Sequence, residues 1–193
     1  DTLADLDIQC LVLKYPDGMR KAMAKATYHE EIDCIVSYEN RNKFITNLAL
    51  DQSGNTLVLY NLVNKHGKVL YNMIKDKSTK RNVFFVSGAV NAEERERIRE
   101  LTEKENGAII VASMGTFSTG INIKNLHNII FAAPTKSQIR VLQSIGRGLR
   151  KSDSGQSTIV YDLADDICWK KHKNYTHNHA INRVRIYAKE KFN

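Results

Sequence analysis

The chain has 193 residues, 42% hydrophobic and 26% charged, the balance of an ordinary globular domain and outside the range of disordered or collagen-like chains. Its net charge of +8 at pH 7 favours a polyanionic partner, with nucleic acid first in line. No run approaches the roughly 18 consecutive apolar residues of a membrane span, so no membrane partner is expected, and Cys10, Cys34 and Cys168 lack any C-x-x-C spacing, which argues against a disulfide framework or zinc ribbon and fits a reducing cytoplasm.

Residues 7–14, DIQCLVLK, form a short apolar-rich run that ends at the turn signal Tyr15-Pro16-Asp17-Gly18. Asp1, Asp5 and Asp7 stand where a secretory signal would carry cations, and a first residue that is Asp, not Met, points to a piece of a longer chain. From His29 to Leu50 the spacing of Ile32, Ile35, Val36, Phe44, Ile45 and Leu48 predicts one helix. Asp51-Gln52-Ser53-Gly54-Asn55 breaks it. TLVLY (56–60) then reads as a strand buried on both faces, 64–75 as a helix, and NVFFV (82–86) as a second strand. A helix follows from Asn91 to Gly107, with Asn91 as its cap and Glu94 three residues on. AIIVA (108–112), NIIFAA (128–133) and STIVYDL (157–163) are the remaining strands, and Ser137 caps a helix through Val141 and Leu142 towards Gly146. Five short strands alternating with helices predict an α/β fold with a doubly wound parallel sheet. Residues 1–50 read as a connecting strand and helix leading into the domain, 51–168 as the domain itself, and 169–193 as a basic C-terminal helical extension. That extension carries seven Lys/Arg and one Glu.

Ligands of parallel sheets gather at loops after the strands' carboxyl ends. After the third strand, SMGTFSTGINIKNL (113–126) is rich in small and hydroxylated residues that let backbone N–H groups approach phosphates; an ordinary loop would use them too. QSIGRGLR (143–150) places Arg147 and Arg150 on adjacent faces of a helical turn around two glycines. Guanidinium groups stay charged and match phosphate oxygens bidentately, although a solvated basic helix end would look similar. No G-x-x-x-x-G-K-[ST] and no G-x-G-x-x-G is present, which removes a phosphate loop and a dinucleotide fingerprint. Asp162, Asp165 and Asp166 read as acids at an exposed helix start in preference to a metal site. His172, His177 and His179 lack a companion acid pair, so no metal residue is predicted.

These strings resemble the second RecA-like domain of superfamily 2 helicases. TLVLYN (56–61) is similar to motif IV, and VSGAVNAEER (86–95) to the strand-turn-helix after it. VASMGTFSTGINI (111–123) is similar to motif V, and QSIGRGLR to the motif VI pattern Q-x-x-G-R-x-x-R. The resemblance implies an ATP-driven motor acting on branched or single-stranded DNA, or on an RNA–DNA hybrid. It implies that Arg147 and Arg150 reach the ATP phosphates as catalytic groups, with Gln143, Gly146, Gly120 and Asn122 near the nucleotide. Ser113, Asn61, Gly88 and Thr119 would meet the nucleic acid. Asn122 stands where many members of the family carry Asp. The Walker A lysine and the Asp-Glu box belong to an N-terminal RecA-like domain that would also hold Mg²⁺, so this chain alone should be inactive.

In the basic extension, Trp169, Tyr175 and Tyr187 interleave with Lys170, Lys171, Lys173 and Arg183, a pattern that suits stacking and phosphate contact with a single strand. Ile181, Val184, Tyr187 and Ala188 at helical spacing would equally dock on the core. The competing reading of the whole is a stand-alone nucleic-acid-binding module with a RecA-like fold and no ATPase activity.

Overall fold

A computed structural model describes residues 5–87, 92–117, 123–149 and 157–190. Six strands, β1 (Leu6–Lys14), β2 (Thr56–Tyr60), β3 (Val83–Val86), β4 (Ile109–Ser113), β5 (Asn128–Phe131) and β6 (Thr158–Asp166), form one sheet in the order β1-β6-β5-β2-β4-β3. Every pairing is parallel. The apolar run at 7–14 therefore does more than connect: β1 runs beside β6 along its whole length, from Leu6 opposite Thr158 to Lys14 opposite Asp166.

The pleat sorts the core into two layers. Leu57 and Leu59 of β2 join Ile110, Ile129 and Val160 beneath α5 (Ala92–Lys104) and α6 (Gln138–Gly148), which contribute Ile98, Val141, Leu142 and Ile145. Val58 and Tyr60 face the other way with Val111, Ile130 and Leu163, covered by α3 (Glu39–Asp51) and α4 (Lys68–Lys77) through Ile45, Ala49, Leu70 and Ile74. Burial on both faces explains why β2, β4 and β5 are apolar runs without alternation.

The helices of the first 50 residues depart from the single helix predicted. Pro16 begins a short helix α1 (Asp17–Ala22) in place of a simple turn, with Arg20 N donating to its carbonyl. The next segment splits into α2 (Tyr28–Ser37) and α3 at Tyr38, whose backbone is extended (φ −70°, ψ 107°). Two side chains account for the break. Ser37 Oγ donates back to the Asp33 and Cys34 carbonyls, and Asn42 Nδ2 takes the Val36 carbonyl, so side chains satisfy the end of α2. Tyr38 is thereby freed to lay its ring 4.9 Å from that of Tyr15. Thr27 and Glu30 form a reciprocal capping box at the start of α2.

At the amino ends of the strands a polar lock replaces apolar packing. Asn55 is fully buried, donates to the carbonyls of Thr102, Glu105 and Asn125, and accepts from Ala108 N. Arg81 spreads its guanidinium over the carbonyls of Ala49, Gln52, Gly54 and Gly107, which include orphans at the end of α3. Gly54 there has φ +83°, and a Cβ would lie 2.6 Å from the His127 ring, so only glycine fits.

Candidate functional site

The strand order reverses about β2, the chain moving one way to β3 and the other way through β5 to β6, which makes the carboxyl ends of β2 and β5 the expected ligand crevice. Tyr60 closes β2 with its hydroxyl donating to Val86 O at 2.9 Å, binding this rim to β3; burial, with Glu94 adding to it, pushes the phenol up to about 12. Asn61 follows, exposed. Next comes a π-turn, Val63–Gly67, leading into α4, a wide-bore element often found at working sites. Gly67 is required in it, since a Cβ would meet the Tyr60 ring at 2.6 Å. His66 is buried, with Nε2 at 3.1 Å from Asn42 Oδ1. Asn42 uses its amide N–H on Val36 O, so the proton between them belongs to His66 Nε2. Burial, then the Arg41 charge, lowers its pKa to about 3.

A cavity of about 360 Å³ opens between this rim and α2, lined by Tyr28, Asp33, Asn61, Lys65, His66 and Pro134 among others. Lys65 pairs with Asp33 at 3.2 Å, linking its walls. Ser113 ends β4 half-buried, and its Oγ accepts from Gly115 N at 3.3 Å. The turn Met114–Phe117 then buries Met114, Thr116 and Phe117. Asn61 and Ser113 are thus both at the carboxyl rim. Gly88, Thr119, Gly120, Asn122 and Arg150 lie outside the described residues.

Helix α6 corrects the expected position of Arg147. A helix that follows a parallel strand returns antiparallel to it, and eleven residues travel roughly 16 Å. Its last turn therefore sits at the amino ends of the strands. A Cβ on Gly146 would touch Leu6, the first residue of β1, at 3.3 Å, and Gly148 O accepts from Ile123 N ahead of β5. Val141, Leu142 and Ile145 face the core, while Gln143 and Arg147, one turn apart, share the exposed face. Gln143 Nε2 donates to Glu190 at 3.0 Å. Among the described residues Arg147 has no hydrogen bond or ion pair, so its charge is available to a phosphate approaching from outside this chain. Ser137, the expected cap, makes no side-chain cap; its N–H goes to Thr135 Oγ1.

The acids of β6 are likewise corrected. They lie in a strand, not at an exposed helix start, and two of them are spent internally. Asp165 receives Arg41 Nε (2.7 Å) and Nη2 (3.2 Å) together with the Tyr15 hydroxyl (2.8 Å). Asp162 receives Arg183 Nε (2.8 Å) and Nη2 (2.7 Å) with the Tyr187 hydroxyl (2.6 Å). Arg183, predicted to contact nucleic acid, is only 4% exposed. It pins α7 (Tyr175–Lys189) to the sheet, because a carboxylate buried in β6 needs a bidentate partner. Tyr187 is buried with it, and Trp169 lies under the Arg20 guanidinium at 5.9 Å. Lys170, Lys171 and Lys173 are exposed. Trp169 and His172 exchange backbone hydrogen bonds of 3.0 and 2.9 Å, making a tight hairpin with Lys170 at φ +52° and both lysines at its tip.

A six-stranded parallel sheet of this order, with helices packed on both faces, is the RecA-like α/β fold. Residues 39–152 match the family described as the helicase conserved C-terminal domain, and the chain belongs to that family. It is 41% identical over 204 residues to the ATP-dependent DNA helicase UvsW of Enterobacteria phage T4, covering 99% of this chain and 40% of that protein. The T4 UvsW crystal structure superposes with a TM-score of 0.83 over all of this chain and 41% of that one, at 40% identity. The yeast DEAD-box splicing factor Prp28 shares the fold, with a TM-score of 0.59 at 12% identity over 98% of this chain and 34% of that one. The chain thus spans about two fifths of the length of its T4 relative.

Proposed function

We propose that this chain is the second motor lobe of an ATP-dependent DNA helicase of the UvsW type, working in the cytoplasm of a bacterial or phage-infected cell on branched or single-stranded DNA or an RNA–DNA hybrid. The observation that carries the reading is Arg147 on the outer face of α6, without a partner among the described residues, in a chain alike to T4 UvsW from end to end. A group that reaches across a cleft must point away from its own core, and Arg147 does. The exposed Gln143–Arg147 face fits a triphosphate presented by an N-terminal RecA-like partner lobe, with Arg150 completing the pair. Mg²⁺ and the phosphate-cradling lysine fall to that lobe, since this chain has no G-x-x-x-x-G-K-[ST].

Bringing an arginine to the γ-phosphate across two lobes makes closure a condition of hydrolysis, and opening after hydrolysis moves one lobe along the strand. Asn61 and Ser113 at the carboxyl rim, with Lys170 and Lys171 at the hairpin tip and Lys173 just after it, would hold phosphates with little sequence preference. In the full-length protein, Arg147→Ala and Arg150→Ala should each lower ATP turnover by about a thousandfold or more, leaving DNA affinity within a few-fold. Steady-state hydrolysis and fluorescence anisotropy read the two effects. Unchanged turnover in both variants contradicts the motor reading and favours a binding module without ATPase activity.

A further inference from the structure

The end of β6 and the start of α7 bring together three side chains that the motor reading does not use. Asp166 is the last residue of β6, Cys168 lies two residues on, and His177 is in the first turn of α7. Their ligand atoms all lie within 4.8 Å of one another. Residues two apart in extended chain point to the same side, which aligns Asp166 with Cys168. The buried Asn174 then folds the intervening loop back, accepting from Ile167 N at 3.0 Å and donating to Asp165 O at 2.9 Å. That fold-back sets His177 beside them. One feature of the cluster is unexplained by protein contacts: His177 Nδ1 is buried and, among the described residues, has no hydrogen-bond partner. A buried polar nitrogen left this way is costly, and coordination of an ion through that nitrogen would remove the cost.

We propose that Asp166, Cys168 and His177 form a binding site for a zinc-class divalent ion. Sulfur and imidazole donors beside one carboxylate select Zn²⁺ or Co²⁺ and disfavour Mg²⁺ and Ca²⁺, which take oxygen donors. Ligands at about 2.0–2.3 Å from a tetrahedral ion lie about 3.3–3.8 Å apart, so side-chain rotations of about an ångström close the site, with water in the fourth position. On binding, the Cys168 thiol proton, now directed at Asn174 Oδ1 (3.4 Å), leaves to solvent as the metal–sulfur bond forms. Thiolate and carboxylate together neutralise the dication. An outer layer already orients the ligands: Cys168 N donates to Asp166 Oδ1 at 3.0 Å, and Arg20 Nη1 holds the Cys168 carbonyl at 3.2 Å. The ion would tie β6 to α7 and fix the root of the hairpin that carries Lys170 and Lys171.

Titration of the metal-free full-length protein with Co²⁺ tests this. Expected are an intense near-ultraviolet sulfur-to-cobalt charge-transfer band, saturating at one ion per chain, and its loss on adding one equivalent of Zn²⁺. Cys168→Ser should abolish the band while Cys34→Ser keeps it. Asp166→Asn and His177→Gln should each weaken Zn²⁺, measured against a chromophoric chelator, by more than the about 10- to 100-fold that losing an outer-layer partner costs. No band in the unmutated protein, a band untouched by Cys168→Ser, or Zn²⁺ affinity unchanged by His177→Gln would each overturn the site. The unmutated protein alone can fail the test, so misfolding of a variant cannot rescue it, and the outcome is independent of ATP turnover.

Discussion

Arg41 and Arg183 approach β6 from α3 and α7, and each ends in a bidentate pair with a buried aspartate. Removing one member of such a pair leaves a buried charge uncompensated, at a cost of about 3–5 kcal/mol; this is why an arginine from a cationic segment is found inside. Nothing in the string around Arg183 reveals that, because its partner lies 21 residues away and Arg41's lies 124 away, beyond any helical or strand spacing. The same blindness hid His66, whose role depends on Asn42 and on Arg41. Its folded pKa of about 3 lies below the usual 6.5. Between those values the unfolded chain binds a proton that the folded one refuses, so stability is full above pH 6.5 and falls as pH drops towards 3. The loss attributable to this one side chain approaches about 4–5 kcal/mol at the low end. Unfolding free energies from urea titrations between pH 3.5 and 7 should therefore slope less steeply in His66→Gln, and an identical slope would contradict the assignment.

Elements were more legible than their ends. TLVLY at 56–60 coincides with β2, and the strands from 82, 108, 128 and 157 recur within a few residues of their observed limits, because continuous apolar runs bounded by Gly, Asn and Ser have few other uses. Breaks were missed where side chains make them, as at Tyr38 and at the π-turn of Val63–Gly67. Helix α7 shows the same dependence on a distant group. Its cap comes from α2: the Glu31 carboxylate accepts from Tyr175 N at 2.9 Å and from Thr176 N at 2.7 Å, and the Asn174 amide also donates to it. Glu31 is 3% exposed, and it meets the positive end of the helix dipole. Glu31→Ala strands those donors and should cost about 1–3 kcal/mol in global stability. Amide exchange across the first turn of α7 should accelerate more than in α4 or α6. Equal acceleration throughout would mean that Glu31 supports the fold generally instead of anchoring this helix.

At the scale of the molecule, the sequence carried the layered parallel sheet and the order of its motifs, but not the end of the sheet at which each motif lies. Arg147 was expected with the carboxyl-rim loops; the antiparallel return of α6 carries it to the other end, on the exposed side. Candidate phosphate contacts thus divide between surfaces: Asn61 and Ser113 at the carboxyl rim, Arg147 on α6, and the lysine hairpin beside the end of β6. In the proposed motor, that division would separate affinity for the strand from hydrolysis. Lys170, Lys171 and Lys173 are exposed and lie apart from the outer face of α6, so they should add counterion release without touching turnover. Each phosphate neutralised on a single strand contributes about −0.7 to the slope of log affinity against log salt concentration. Replacing all three lysines with alanine in the full-length protein should therefore flatten that slope by about 2, measured by anisotropy on a single-stranded oligonucleotide across a salt series. Affinity should fall most at low salt, and turnover at saturating DNA should stay unchanged. A slope that does not move would assign the +8 surplus of this chain to solubility, and leave strand contact to the rim alone.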